Sequence, residues 1–485
     1  MDFQILPFEF KVINGNQVLL TSDAGDFHCI SLKEFDDLLA YRLEKNSETY
    51  QDLKSKFFLA DSNISNTIDL LSIKYRSKKS FLKDFTSLHM MVITLRCNHE
   101  CKYCQVTSEI AESYKYDMLE STAEKVVEII FLTPSNNIKI EFQGGEPLLN
   151  WKAIVVAVKK AEKLNEKYKK RLEFVICTNL SLLSIEMIEF INKHDISIST
   201  SLDGDKLLHD KNRILRGGGS SYDAFINKLQ FARDNLNHRR IGPLMTATID
   251  NIDKFKEIVD QYISLGFEGI FFRALNPYGS ADKNKEFLGY PIKRFLDNYE
   301  KALNYIIDLN LNGVRFVEYY ATLLLTRILT PFGTGFVDLQ SPSGAGISGV
   351  IYDYNGDVYP ADEARMLSRM GDKKFLMGNV YENDYFEIFN SDILNEIVQN
   401  SCLEIIPACS HCVYRPYCGA DPVRNYLESK DLINNNPNND FCLKNKGIFD
   451  LLFKKILKND RDEMNVFWSW ITNRSFVETS ASRKS

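Results

Sequence analysis

Residues 90–105 read MMVITLRCNHECKYCQ, a β-prone apolar run that stops at Leu95 and is followed at once by Cys97, Cys101 and Cys104. A short run of this kind, closed by a polar loop, is the pattern of a buried strand. Similar runs recur downstream as IKIEFQ (138–143), EFVICTN (173–179), ISISTSL (196–202), PLMTATI (243–249) and GIFFRAL (269–275). Between them lie stretches with helical periodicity, among them STAEKVVEIIFL, WKAIVVAVKKAEKL, SIEMIEFINKH, YDAFINKLQFA and DKFKEIVDQYISLG. Six βα units in series predict an α/β fold with a parallel sheet, and a partial (β/α)6 TIM-like barrel is the compact way to close it. Functional residues of such a fold gather at the C-terminal ends of the strands. The three cysteines follow the end of the first.

Working outward, residues 1–85 read as a separate N-terminal module. FEFKVI, QVLLTS and DFHCIS are short strands with turns at Asn14-Gly15 and Ala24-Gly25. Ser31 then caps a helix that carries Phe35, Leu38 and Leu39 on one face, and SETYQDLKSKFFL follows. Strands, helix, helix in this order suggest a winged-helix-like unit. A basic linker, YRSKKSFLKDF, leads to the barrel, placed at 86–315. Residues 316–457 are expected to hold a bridging region, a Gly-rich hairpin turning at Asn355-Gly356, and a cysteine-rich extension. Residues 458–485 read as a polar tail whose end, ETSASRKS, is frayed.

Composition bounds the function. Hydrophobic residues make up 44% and charged residues 26%, the balance of an ordinary globular protein, and no stretch is long and apolar enough to suggest a membrane span. The start, MDFQILPFEF, lacks the basic-then-apolar pattern of a secretory signal, so a cytoplasmic location is expected. A net charge of -6 argues against a surface built for nucleic acid. The adjacent basic pair Arg239-Arg240 reads as a solvated helix end.

Most of the ten cysteines fall into two sets at metal-ligand spacing, and in a reducing compartment that favours metal over disulfides. Three thiolates on a loop can hold three irons of a cubane and leave the fourth open. A closed zinc site using His99 as fourth ligand is the competing reading. Against it, His99 lies inside the loop and no paired zinc knuckle follows. The second set, Cys409, Cys412, Cys418 and Cys442, supplies four thiolates, a closed set that suits either a cubane or zinc. Cys29, Cys177 and Cys402 are left over and read as packing cysteines; His209, His238 and His411 read as surface or supporting groups.

Other strand ends carry polar strings. QGGEPLL places Gln143, Gly144, Gly145, Glu146 and Pro147 after the second strand, where glycines permit close backbone approach and Glu146 can receive an ammonium group. Thr178-Asn179 ends the third. The fourth ends in SLDGDKLLHDKNR, with Ser201, Asp203 and Arg213, which by composition alone reads equally well as a turn and a salt-bridged loop. Asp362, in VYPADEARML, is either a general base or a loop carboxylate paired with Arg365 or Arg369.

Taken together, these strings resemble the radical S-adenosylmethionine (SAM) enzymes. C-x3-C-x2-C with Tyr103 before the last cysteine is similar to the loop on which that family carries a [4Fe-4S] cluster. The resemblance implies that the open iron takes the amino and carboxylate groups of SAM and passes it an electron, giving methionine and a 5′-deoxyadenosyl radical. QGGEP is similar to the family's GGEP motif, which holds the SAM amino group, and Thr178-Asn179 to its TNG turn, with Leu180 replacing the glycine. SLDG followed by HD and Arg213 is similar to peptide-modifying enzymes of the anaerobic sulfatase-maturase type. That likeness implies Ser201 and Asp203 on the ribose, Arg213 on the SAM carboxylate, Leu275 near the adenine, Gln143 beside SAM and substrate, and Asp362 as the substrate base.

The second cysteine set resembles the SPASM extension of such maturases, whose seven cysteines hold two auxiliary clusters. Here Pro422 and Ala361 stand where two of those cysteines would be, and none lies between Cys177 and Cys402, so one auxiliary [4Fe-4S] cluster is expected. The whole looks most like the His-Xaa-Ser system radical SAM maturases. This implies a peptide or small-protein substrate encoded nearby, bound by strand addition to the N-terminal module, and an electron donor such as flavodoxin or ferredoxin. Oxidative crosslinking is the expected reaction; formylglycine formation and a non-catalytic iron–sulfur role are the alternatives.

Overall fold

The computed structural model describes residues 3–61, 64–238, 240–433, 437–476 and 479. Arg239 and, apart from Thr479, the ETSASRKS end lie outside the described residues. The chain forms two compact units that are not sequential. One comprises residues 1–83, 321–344 and 398–473, and the other 84–320, 345–397 and 474–485.

In the first unit β1 (Glu9–Ile13), β2 (Gln17–Thr21) and β3 (Phe27–Ser31) form an antiparallel meander. Asn14 and Gly15 both take positive φ, 50° and 77°, as a two-residue hairpin turn requires. Ser31 caps α1 (Leu32–Leu39) through a reciprocal capping box with Glu34. Phe35 and Leu38 of α1 pack with Val18, Leu20, Tyr50 and Leu53, the last two from α2 (Glu48–Ser55). Leu39, expected on that buried face, is 50% exposed. It is one residue beyond Leu38, a turn of about 100° around the helix. The helix α3 (Ser65–Lys78) has no buried residue.

The second unit is built on one sheet. Its strands are β4 (Leu88–Thr94), β5 (Asn137–Gly144), β6 (Arg171–Cys177), β7 (Ser197–Ser201), β8 (Ile241–Thr246) and β9 (Phe272–Arg273). All pair in parallel, each with its neighbour in the chain. Crossover helices α4 (Glu120–Ile130), α5 (Trp151–Tyr168), α6 (Ile185–Lys193), α7 (Ser221–Asn235) and α8 (Phe255–Ser264) make that possible, since parallel strands need long connections. The sixth strand differs from expectation. GIFFRAL splits, with Gly269–Ile270 pairing with Val317–Glu318 and only Phe272–Arg273 pairing with β8.

Three further strands extend the same sheet beyond β4: β10 (Gly349–Tyr352), β11 (Asp357–Tyr359) and β12 (Gly378–Asn379). The expected hairpin at Asn355-Gly356 is therefore part of the main sheet, with β10 parallel to β4 and antiparallel to β11. Its strands are buried at every position, which is why they join a sheet covered on both faces. Asp362 opens the following helix, α9 (Asp362–Arg369).

The remainder of the first unit holds the cysteine-rich segment and α10 (Asp440–Lys458), capped by Asn439, whose side chain accepts from the Cys442 N–H. The Thr21 hydroxyl donates to the Val413 carbonyl at 2.7 Å and Lys11 pairs with Asp450 at 2.5 Å, tying the N-terminal sheet to this segment. The expected tail is instead a helix, α11 (Arg461–Thr472), capped by Asp460. Met464, Phe467 and Trp470 recur every three residues and are buried, a helical stripe hidden in a polar stretch.

Candidate active site

The loop after β4 is fixed from several sides. The Cys97 N–H donates to the Glu109 carbonyl at 2.9 Å, and the Glu109 N–H to the Leu95 carbonyl at 2.7 Å. Arg96, nearly buried, makes a bidentate pair with Asp117 and donates to the Ala111 and Leu149 carbonyls. His99–Cys101 pairs antiparallel with Arg213–Leu215, and the Ser280 N–H holds the Cys104 carbonyl at 2.8 Å. Cys97, Cys101 and Cys104 all face one cavity of about 340 Å³ at the C-terminal ends of the strands.

Of the residues singled out in the sequence, Tyr103, Gln143, Gly144, Gly145, Asn179, Ser201, Arg213 and Asp362 line the same cavity. The glycines are forced by the backbone. A Cβ on Gly144 would stand 2.3 Å from the Thr94 carbonyl oxygen, and one on Gly145 2.3 Å from that of Arg96. The β5 end is thus pressed against the start of the cysteine loop. Gln143 donates to Glu141 at 2.7 Å.

Glu146, Pro147, Asp203 and Leu275 stand behind the wall. Glu146 is fully buried and accepts from the Thr178 hydroxyl (2.6 Å), the Asn179 N–H (2.8 Å) and the Leu148 N–H (3.1 Å). Its carboxylate ties the β5 and β6 ends together, a use that the expectation of an ammonium ligand did not include. Burial pushes its pKa up to about 7, against the pull of those three donors.

Asp203, expected on a ribose, is also fully buried. It accepts from the Tyr103 hydroxyl at 2.5 Å, from Arg213 Nε at 3.1 Å and from the Thr246 N–H at 3.3 Å. Burial alone would lower the Arg213 pKa, yet the Asp203 charge beside it raises the pKa. Arg213 also lies over the Tyr103 ring at 5.3 Å. The guanidinium expected on a ligand carboxylate is therefore already paired within the protein. Leu275 packs on Tyr103, Ala281 and Leu288. Asp362 contacts Arg365, whose side chain is buried, at 3.3 Å, while still facing the cavity.

Cys177, Glu141, Arg273 and Thr200 are among the cavity residues that no sequence motif singles out. Cys177 is not a core packing residue: its thiol donates to Glu141 Oε1 at 3.1 Å on the cavity wall. Glu141 was legible from the strand period, being two residues from Gln143 and so on the same face. Arg273 ends β9, and Thr200, whose buried hydroxyl has no hydrogen-bond partner among the described residues, lies on β7.

The second cysteine set shares one small cavity in the first unit. Cys409, Cys412, Cys418 and Cys442 line it, and Asn445 Nδ2 donates to the Cys418 sulfur at 3.8 Å. Burial drives Cys101, Cys409 and Cys418 up to about 12 as free thiols. Soft thiol-only donor sets facing a common space fit iron–sulfur clusters in both places. Among the described residues no three His, Cys, Asp or Glu side chains are gathered to hold a single metal ion.

Thiols and a polar cavity at the C-terminal ends of a parallel sheet form an α/β site whose donors fit an iron–sulfur cluster. The family profile of the radical SAM superfamily matches residues 91–261. An uncharacterised protein of Methanocaldococcus jannaschii is 30% identical over 220 residues, covering 44% of this chain and 69% of the relative. The chain belongs to the radical SAM superfamily. It is also related to maturases: a cysteine-type anaerobic sulfatase-maturating enzyme of Clostridium novyi is 23% identical over 394 residues, covering 76% of this chain and 96% of the relative. In fold, native anSMEcpe with bound AdoMet superposes with a TM-score of 0.63 at 18% identity, covering 77% of this chain and 98% of its own. Streptococcus suis SuiB bound to the precursor peptide SuiA gives 0.53 at 14% identity, covering 89% and 98%. Among the described residues no helix is long and apolar enough to cross a membrane.

Proposed function

We propose that the chain is a cytoplasmic peptide maturase, most like the His-Xaa-Ser system enzymes, that modifies a peptide or small protein encoded nearby by hydrogen abstraction and oxidative crosslinking. The observation that carries this is the convergence on one cavity of the three cluster thiols, the Gly144-Gly145 turn, Ser201, Arg213 and Asp362. In this reading the six sequential strands are the partial barrel, the N-terminal meander with its helices is a winged-helix-like module, and the cysteine-rich segment is SPASM-like.

Cys97, Cys101 and Cys104 hold the SAM-binding [4Fe-4S] cluster, and Cys409, Cys412, Cys418 and Cys442 hold one auxiliary cluster. When bound, the first cluster supplies one-electron reductive cleavage of SAM to a 5′-deoxyadenosyl radical, with the electron drawn from a flavodoxin or ferredoxin. The chain's own residues do the rest. The glycine turn admits ligand close to the backbone, Ser201 offers a hydrogen bond from the cavity wall, Asn179 braces that wall through Asn98 and Ser181, and the Tyr103–Asp203–Arg213 set holds the cysteine loop in place. Asp362, which lines the same cavity, takes a proton from substrate in this reading. The solved likenesses include SuiB bound to a precursor peptide, in keeping with a peptide as substrate.

Kinship with the C. novyi maturase and the position of Asp362 favour a second reading, formylglycine formation. Mass spectrometry of the neighbouring gene's product, co-expressed with the enzyme, separates the two. Loss of a hydrogen pair without a carbonyl-reactive group supports crosslinking; a product that reacts with hydrazide as an aldehyde supports the second reading, and an unmodified product rejects both.

A further inference from the structure

The cavity holds two guanidinium groups, and only one is neutralised. Arg213 is committed to the buried Asp203. Arg273, at the end of β9 and opposite Thr246 in register, reaches into the same space with one hydrogen bond, from Nη2 to the neutral Gln105 Oε1 at 3.2 Å. Among the described residues no carboxylate pairs with it. The other acids of the cavity are engaged elsewhere, Glu141 with Gln143 and Cys177, and Asp362 with Arg365. Gln105 is itself buried and aims the guanidinium without cancelling its charge. Arginine does not shed its proton, and a partly desolvated cation without a counter-ion is costly. The planar fork matches a carboxylate in two-point fashion.

We propose that Arg273 is the carboxylate receptor of this cavity, taking an acid group that the bound ligand brings, either that of SAM or that of an acidic residue in the peptide. This rests on the reading of the cavity as the SAM and peptide site. The test uses the full chain with its clusters reconstituted anaerobically, together with Arg273→Gln and Arg273→Lys, each matched for iron content. One arm compares SAM with decarboxylated SAM, binding being read from the change in the cluster's EPR signal. The other compares acetyl-Ala-Glu-Ala-amide with acetyl-Ala-Gln-Ala-amide on SAM-loaded enzyme by calorimetry.

In one arm the wild type should prefer the carboxylate-bearing probe by about tenfold or more. Arg273→Gln should shrink that preference several-fold, leaving in the SAM arm only what the iron itself contributes, and Arg273→Lys should partly restore it. The arm that responds identifies whose carboxylate is held. No preference in the wild type, or preferences unchanged in Arg273→Gln, overturns the proposal while SAM cleavage stays intact. Failure of the wild type to bind SAM at all removes the underlying reading, and this proposal with it.

Discussion

At Arg213 the structure separates two roles that a string of letters runs together. SLDG followed by Arg213 suggests residues that touch a ligand, yet Asp203 and Arg213 satisfy one another inside the wall, with Tyr103 as third member. Such a set holds a loop in place more than it binds. Removing one partner of a buried pair leaves a bare charge, so Arg213→Gln should cost about 3–5 kcal/mol of stability. Tyr103→Phe, which removes only a hydroxyl donor to Asp203, should cost about 1–3 kcal/mol. Denaturation of the two variants checks the ranking, and equal losses would mean that the pair is not the tie described here. A salt-bridged loop was one of the two readings that composition left open here, but which residues pair was not legible, because pairing depends on which side of a strand end the backbone turns. By contrast, Cys97, Cys101 and Cys104 were legible at once, since their spacing and their place after an apolar run are both local properties.

At the scale of elements, six strands and their helices followed from apolar runs and helical periodicity, which are also local. Two features did not. Apolar letters fix that GIFFRAL is extended but not that its halves pair with different strands. Likewise the 341–359 hairpin was legible as a hairpin, whereas its place beside β4 is a long-range contact. That β4–β10 seam carries a pH prediction. His89 on β4 is fully buried and lies 3.3 Å from the Tyr352 hydroxyl on β10. Burial lowers its pKa from 6.5 to about 3. Between those values the unfolded chain binds a proton that the folded chain does not. Stability therefore falls as pH drops below 6.5, by about 1.4 kcal/mol per pH unit for one such group. Urea titrations between pH 7 and 5 should show a shallower slope in His89→Gln than in the wild type; parallel slopes would contradict the burial argument.

Over the whole molecule, the sequence suggested consecutive domains, while the compact units interleave segments from far apart in the chain. The N-terminal meander shares a unit with the cysteine-rich segment because Thr21, Lys11 and their partners Val413 and Asp450 meet, contacts between residues hundreds apart that no local pattern announces. The two thiol sets lie in different units, so they should load independently. Two cubanes give about eight irons per chain. Replacing Cys409, Cys412, Cys418 and Cys442 by alanine should leave about four, with the SAM-responsive EPR signal retained. Recovery of zinc with only about four irons from the wild type would sink the auxiliary cluster.

In the proposed function, Cys97, Cys101 and Cys104 hold the cluster that cleaves SAM. The most direct test of that role is 5′-deoxyadenosine formed from SAM by the reduced, anaerobically reconstituted chain, with and without alanine at these three positions. The wild type should form product and the triple variant none. Persistence of 5′-deoxyadenosine in the triple variant, or its absence from a fully iron-loaded wild type, would contradict that role.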